Sequence, residues 1–306
     1  MNKILVTPRS LTKGGHPALE LLKKAGYEVV FSTPGKQPDE DELMRLLPGC
    51  VGYLAGVEKV SSKVLEAAKG LKVISRNGTG VDNIDLEAAA RLGVRICRAE
   101  GANAMGVAEL TIGLMFALVR LIPFHDDMMK KGKWERRKGC ELRGRTLGLI
   151  GCGQIGKEVA LRALGLGMEV LAYRRNPDRS FSPSEKFRWV TFDELVERSH
   201  IISLHLPATT TGEPVITSGV IARMKKGVYL INTARASLID EKAVLNALDD
   251  GQIAGFATDV YSEEPPKDLT LVKHERIIST PHLGGFTDES VDRATEEAVR
   301  NLLNSL

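Results

Sequence analysis

An α/β protein of two parallel-sheet domains is what this sequence predicts, on three observations. Its 306 residues exceed the roughly 100–200 of one ordinary domain. Short β-rich runs alternate with helical patterns along almost the whole chain, the signature of βαβ units and a parallel sheet. A glycine-rich turn, Gly151-Cys152-Gly153-Gln154-Ile155-Gly156, stands between a strand-like run and a helix-like one.

The elements follow in order. Lys3–Thr7 reads as a strand, Pro17–Ala25 as a helix ended by Gly26, Glu28–Ser32 as a strand, Asp39–Leu47 as a helix and Val51–Ala55 as a strand. Ser61–Lys69 is helical, Lys72–Ser75 a strand, Leu86–Leu92 a helix and Val94–Cys97 a strand. The pattern changes near Gly101. Ala104–Arg120 is apolar on nearly every face, so it must be covered all round, within a domain or by another subunit. A second series then runs through Thr146–Gly151, Glu169–Tyr173, His200–Leu204, Val228–Asn232, Ile253–Asp259 and Arg276–Ser279. Thr287–Leu306 closes the chain as one amphipathic helix. No repeat of 20–50 residues breaks this order.

Composition removes several classes. With 43% hydrophobic and 26% charged residues, collagen, coiled coil and disorder are excluded. Lys and Arg number 42 against 39 Asp and Glu, too even a balance for a nucleic-acid partner. The basic stretch Lys130–Lys138 reads as a solvated loop. Four cysteines, none in a C-x-x-C pair, give neither a disulfide scaffold nor zinc spacing, so no metal is expected. The chain enters its first strand without a signal-peptide pattern. The longest apolar stretch, Leu110–Val119, is about half of a membrane span. A cytoplasmic protein without membrane contact is expected.

The glycine turn fits G-x-G-x-x-G in the context that gives the motif weight, with Thr146–Ile150 leading in as a strand and Ile155–Leu164 leading out as a helix. Gly151 permits the tight turn, Gly153 lets the backbone approach a pyrophosphate, and Gly156 lets helix and strand pack closely. Gln154 and Ile155 begin the helix whose free N–H groups would face the phosphates. A plain strand-to-helix turn is the alternative. The next strand should end in an acid for the adenosine ribose, yet Glu169–Tyr173 ends in Arg174-Arg175-Asn176. Arg174 and Arg175 would pair with a 2′-phosphate that a carboxylate would repel. NADP(H) is therefore favoured and NAD(H) stays open; arginines that merely face solvent are the plainer reading.

Three segments downstream each place an ionisable group after a buried strand: Asn232-Thr233-Ala234-Arg235, Asp259-Val260-Tyr261-Ser262-Glu263-Glu264 and Thr280-Pro281-His282-Leu283-Gly284-Gly285. Ligands of parallel α/β sheets bind beyond the carboxyl ends of strands, so Arg235, Glu264 and His282 are candidates for one cleft. Singly, each has a duller explanation as a surface arginine, a solvated acid or a hydrogen-bonded core histidine.

With these segments the chain resembles the D-isomer-specific 2-hydroxyacid dehydrogenases over essentially its full length. Asn77-Gly78-Thr79-Gly80-Val81-Asp82-Asn83-Ile84-Asp85, Val107-Ala108-Glu109, the glycine motif and Leu204-His205-Leu206-Pro207 carry the likeness together with the three segments above. The resemblance implies two Rossmann-like domains, with a dinucleotide-binding domain (101–285) inserted into a discontinuous substrate domain (1–100 plus 286–306). It implies an enzyme moving a hydride between NAD(P)H and a small 2-keto or D-2-hydroxy acid. Arg235 would hold and polarise the substrate. His282 would give the proton, and Glu264 would favour its imidazolium form. Asp259, Thr233, Ala234 and Pro207 match positions beside the cofactor. Backbone N–H groups of Thr79 and Gly80 match a carboxylate-holding loop, with Arg76 near it. His205 is read as structural or near the adenine, and Cys152 is given no redox role. The long apolar helix matches a dimer contact in relatives, so a homodimer is expected.

Substrate identity is left open by the same residues. Ser75-Arg76-Asn77-Gly78 and Thr7-Pro8-Arg9-Ser10 look like the phosphoglycerate dehydrogenase branch. Leu54-Ala55-Gly56 lacks the arginine that branch carries, and the chain ends at Leu306 without the expected length for a further serine-sensing domain. Reduction of glyoxylate or hydroxypyruvate and oxidation of 3-phosphoglycerate both remain. A dinucleotide-sensing protein without catalysis is the alternative of another class.

Overall fold

The computed structural model describes residues 2–306, in two compact units: residues up to Asn103 together with Gly285–Leu306, and Ala104–Gly284. Both are layered around parallel sheets, matching the expected α/β class.

The first unit runs β1 (Lys3–Val6), α1 (Arg9–Gly14), α2 (Leu19–Lys24), β2 (Glu28–Phe31), α3 (Glu40–Leu46), β3 (Cys50–Ala55), α4 (Ser62–Ala67), β4 (Val73–Arg76), α5 (Leu86–Arg91) and β5 (Arg95–Arg98). The strands pair in the order β2-β1-β3-β4-β5, all parallel. Asp39, Ser61 and Asp85 cap α3, α4 and α5 by accepting the N–H three residues on, which satisfies a donor the helix start leaves unpaired. Strand alternation sends Leu5, Tyr53 and Ile74 to one face, with Leu43, Val64 and Ala88. Ile4, Val6, Leu54 and Val73 go to the other, with Leu19 and Leu22. That second face is completed by Ala298, Val299 and Leu302 of the C-terminal helix Asp288–Ser305. The end of the chain is therefore part of this unit's core.

The second unit begins with α6 (Ala104–Arg120) and α7 (Ile122–Lys130), joined at Leu121, which has φ 54°. Then come β6 (Thr146–Ile150), α8 (Gln154–Gly165), β7 (Glu169–Tyr173), β8 (Phe187–Trp189), α9 (Phe192–Arg198), β9 (Ile201–Leu204), α10 (Ser218–Ile221), β10 (Val228–Asn232), α11 (Glu241–Asp249), β11 (Ile253–Thr258), α12 (Thr270–Lys273) and β12 (Ile277–Ser279). The sheet order is β12-β11-β10-β9-β6-β7-β8. It reverses direction between β6 and β9, the switch point where the carboxyl ends of strands leave a crevice. Leu147, Leu149, Ile201 and Ile231 pack under α6 and α8, while Ile202, Leu204, Leu230 and Phe256 pack on the opposite face.

Several elements were not read from the sequence, among them β8, α1 and α7. The β8 strand is only Phe187–Trp189, held by edge-to-face contacts of Phe187 with Phe181 and Trp189 at 5.1 and 5.4 Å. The short α1 follows Pro8 without a side-chain cap. The α7 helix turns 65° from α6. The α6 helix itself is covered largely by its own unit, with Val107, Leu114, Met115, Leu118 and Val119 all buried. No single helix among the described residues is long and apolar enough to cross a membrane.

Candidate active site

In the second unit the candidate residues follow the carboxyl ends of six neighbouring strands: Gly151 after β6, Arg174 after β7, His205 to Pro207 after β9, Thr233 to Arg235 after β10, Asp259 after β11 and His282 after β12. The glycine turn shows why each glycine is there. Gly151 has φ 92°, and a Cβ on it would lie 2.3 Å from the His205 carbonyl oxygen. A Cβ on Gly156 would lie 2.6 Å from the Gly151 oxygen. Around Gly153 nothing comes within 4 Å of that position, so the turn is open there. Gly153 also starts α8 without any side-chain cap. Open space in front of uncapped N–H groups of Gln154 and Ile155 fits a pyrophosphate.

Arg174 and Arg175 are exposed beyond β7. Arg174 lies near enough to the turn that its charge, with that of Lys157, opposes the burial that pushes the Cys152 thiol up to about 11. Buried and protonated, Cys152 is a packing residue. One charged pair here escaped the sequence. Lys157 Nζ, in the first turn of α8, bonds Asp178 Oδ2 at 2.6 Å. That bond and the Ser180 hydroxyl hold the Asp178 carboxyl down to about 2. The acid missing at Arg174 thus recurs four residues on, engaged with lysine. His205 Nε2 is 2.9 Å from Ser203 Oγ, and burial pushes its pKa down to about 3. It is a neutral structural imidazole.

The strand-end loops hold one another in place. Asn232 Nδ2 donates to the Arg235 carbonyl at 2.8 Å, and its Oδ1 accepts from Ala234 N at 3.1 Å. Thr233 and Thr111 share a hydroxyl hydrogen bond of 3.1 Å, tying β10 to α6. Arg235 Nη1 donates to the Ala234 carbonyl at 2.7 Å. Asp259, 1% exposed, accepts from Thr280 Oγ1 at 2.6 Å, Leu283 N at 2.7 Å and Gly284 N at 2.8 Å. Its carboxylate therefore clamps the histidine loop from both sides.

His282 has φ 54°, a strained left-handed conformation for a residue with a Cβ. Its Nδ1 lies 2.7 Å from Glu264 Oε2 and 3.0 Å from Oε1. Burial alone would raise the Glu264 carboxyl, but the hydrogen bond and charge of His282, the Tyr261 N–H and the Arg235 charge outweigh it and hold it below its ordinary value. Glu264, His282 and Arg235 thus form one electrostatic group. Tyr261 also escaped the sequence: its N–H bonds Glu264 Oε1 at 3.2 Å and its hydroxyl bonds the Thr280 carbonyl at 2.9 Å.

In the first unit, β4 ends at Arg76, and Asn77, Gly78, Thr79 and Gly80 form the loop after it. Arg76 Nη1 donates to the Asn77 carbonyl and lies against Gly78, where a Cβ would be 2.9 Å from it. The Thr79 hydroxyl is turned inward to Asn103 Oδ1 at 3.1 Å. Among the described residues neither the Thr79 nor the Gly80 N–H has a hydrogen-bond partner. No group of three or more His, Cys, Asp or Glu side chains among these residues could hold a metal.

The model of the NAD-binding domain of D-isomer-specific 2-hydroxyacid dehydrogenases matches residues 112–284. A Thermotoga maritima hydroxypyruvate reductase is 40% identical over 274 residues, 88% of this chain and 89% of that protein. A pig D-3-phosphoglycerate dehydrogenase is 41% identical over 281 residues, 91% of this chain but 52% of that protein. The chain thus spans about half the length of the mammalian phosphoglycerate dehydrogenases it matches. A solved structure from Thermus thermophilus superposes with TM-score 0.87 at 34% identity, covering 98% of this chain and 96% of that one. The chain belongs to the D-isomer-specific 2-hydroxyacid dehydrogenase family. Its second unit carries that family's domain for a nicotinamide dinucleotide.

Proposed function

We propose that the protein reduces a small 2-keto acid to its D-2-hydroxy acid with a nicotinamide dinucleotide, and catalyses the reverse oxidation. The observation that carries this is the Glu264–His282 pair, 2.7 Å apart, grouped electrostatically with Arg235 beyond strands of the sheet that bears the glycine turn. When bound, the dinucleotide supplies or accepts the hydride. Everything else belongs to the chain's own side chains and backbone N–H groups. With Nδ1 committed to Glu264, His282 Nε2 is the nitrogen that gives a proton to the keto oxygen, or takes it back in oxidation. Glu264 fixes the ring and offsets the imidazolium charge. Arg235 polarises the carbonyl.

Gly151, Gly153, Gln154, Ile155 and Gly156 receive the phosphates in this reading, and Pro207, Thr233, Ala234 and Asp259 border the cofactor. Arg174 and Arg175 favour the 2′-phosphate of NADP(H), supported by the reach of Arg174 to the turn. The first unit acts as the substrate domain, its Thr79 and Gly80 N–H groups holding the carboxylate beside Arg76. A homodimer is the assembly we favour, supported by large apolar side chains left exposed around α6 and α7: Met105, Ile122, Met129 and Trp134. Four cysteines without a disulfide among the described residues suit a reducing compartment such as the cytoplasm.

The test is turnover. Purified protein with NADPH should consume it when offered glyoxylate or hydroxypyruvate, with 3-phosphohydroxypyruvate as the contrasting substrate. No oxidation of NADPH or NADH with any 2-keto acid would overturn the reading.

A further inference from the structure

The sheet of the first unit has its own switch point. In the order β2-β1-β3-β4-β5, the chain reverses between β1 and β3, and the crevice for a ligand opens beyond those two strands. The residues there are Thr7, after β1, and Gly56 to Glu58, after β3. Glu58 is 1% exposed, and carboxylates are almost never so covered without a reason.

Its donors converge on one oxygen. Oε1 accepts from the Tyr53 hydroxyl at 2.5 Å, from Gly56 N at 2.8 Å and from the Thr7 hydroxyl. Tyr53 is held in its neutral, donating form, because burial and then the Glu58 charge push its pKa well up. Oε2 lies over Gly56, where a Cβ would approach it to 2.6 Å. The same segment is stitched to both sides of the loop that carries Thr79 and Gly80. Asn77 N donates to the Ala55 carbonyl at 2.9 Å, and Asn83 Nδ2 donates to the Glu58 carbonyl at 2.6 Å. Ala55, fully buried, offers no side-chain charge. Arg76 is one cation nearby: its charge is felt at Tyr53, and its guanidinium also donates to the Asn77 carbonyl.

We propose that Glu58 sets the substrate class, admitting 2-keto acids with an uncharged distal end and refusing those that carry a phosphate there. This rests on the carboxylate-holding role given above to Thr79 and Gly80. A substrate anchored by its carboxylate on that loop extends its other end towards the β3 loop bonded to it. A fixed buried carboxylate there meets a phosphate dianion as a like charge without solvent to screen it, and repulsion of this kind is how sites reject a near-isosteric competitor. A distal hydroxyl, by contrast, can donate to the carboxylate.

The test compares hydroxypyruvate with 3-phosphohydroxypyruvate, which differ only at that end. Wild type should favour hydroxypyruvate in kcat/KM by at least about a hundredfold, and Glu58→Gln, which keeps the shape and an acceptor oxygen, should narrow that ratio at least about tenfold. Product inhibition of wild type supplies a reading that needs no variant: D-glycerate should inhibit and 3-phosphoglycerate should not at tenfold higher concentration. Wild-type preference for the phosphorylated acid, inhibition by 3-phosphoglycerate, or an unchanged ratio in a folded Glu58→Gln protein would overturn the assignment of Glu58 while leaving the activity standing. No turnover of either acid would overturn both.

Discussion

His282 Nδ1 faces both oxygens of Glu264, at 2.7 and 3.0 Å, so the carboxylate fixes the plane of the ring as well as its tautomer. The clamp on the other side is Asp259, whose bonds to Thr280, Leu283 and Gly284 bracket the histidine in sequence. Together they explain how His282 keeps φ 54°. A strained backbone persists where its surroundings over-determine it.

The pH dependence follows from this pair. Glu264 is depressed in the folded protein, so its contribution to stability is complete above its unfolded pKa and is lost as pH falls through the lower folded value. Glu264→Gln has no such charge to lose, so the acid-side fall in Tm should flatten, and kcat/KM should drop at least about tenfold because His282 loses the carboxylate that orients its ring. Acid titrations of Tm for both proteins measure the first effect, and superimposable acid limbs would contradict a stabilising Glu264 charge.

In the proposed reading, cofactor choice depends on Arg174. A charge-assisted bond to a 2′-phosphate is worth about 1.5–3 kcal/mol, so NADPH should be preferred over NADH by roughly ten- to a hundredfold in kcat/KM. Arg174→Asp should reverse the order. Raised salt should weaken NADPH binding more than NADH binding. Equal use of both by wild type would mean that Arg174 does not meet the ribose.

The glycine turn separates folding from binding. Gly151→Ala puts a Cβ 2.3 Å from a carbonyl oxygen at φ 92° and should cost about 1–3 kcal/mol or more, lowering Tm by several degrees. Gly153→Ala enters open space at φ −84°, so Tm should hold while NADPH affinity falls at least about tenfold, because a methyl occupies the approach of the pyrophosphate. Thermal melts and a fluorescence titration distinguish them.

Assembly is tested on exposed side chains. Met115 is fully buried within its unit, so a charge there would break the unit whether or not a dimer exists. Ile122 and Met129 are 52% and 58% exposed. Ile122→Asp with Met129→Asp should convert a dimer to a monomer by light scattering without loss of Tm; an unchanged mass would place the contact elsewhere.

All the strands except the three-residue β8, and the glycine turn, were legible because each announces itself locally, through alternation or through a residue that only one conformation needs. Arg235, Glu264 and His282 were legible because each follows an apolar strand. Tyr261, Asp178 and the Asp259 clamp were not, since their partners are set by how separate loops meet. Asp259 and Gly284, 25 positions apart in sequence, show that distance plainly. Glu58 was passed over for a similar reason: a glutamate two residues after Gly56 looks like a solvated loop acid, and only the meeting of Thr7 with Tyr53 buries it.

The most direct measurement is steady-state turnover of glyoxylate or hydroxypyruvate with NADPH by wild type and His282→Ala, alongside NADPH binding to both. Turnover should fall by roughly a hundred- to ten-thousandfold, as for other general acid–base residues, with NADPH affinity changed less than about threefold. Wild-type rates in the His282→Ala protein would contradict the assignment of this histidine as the proton donor.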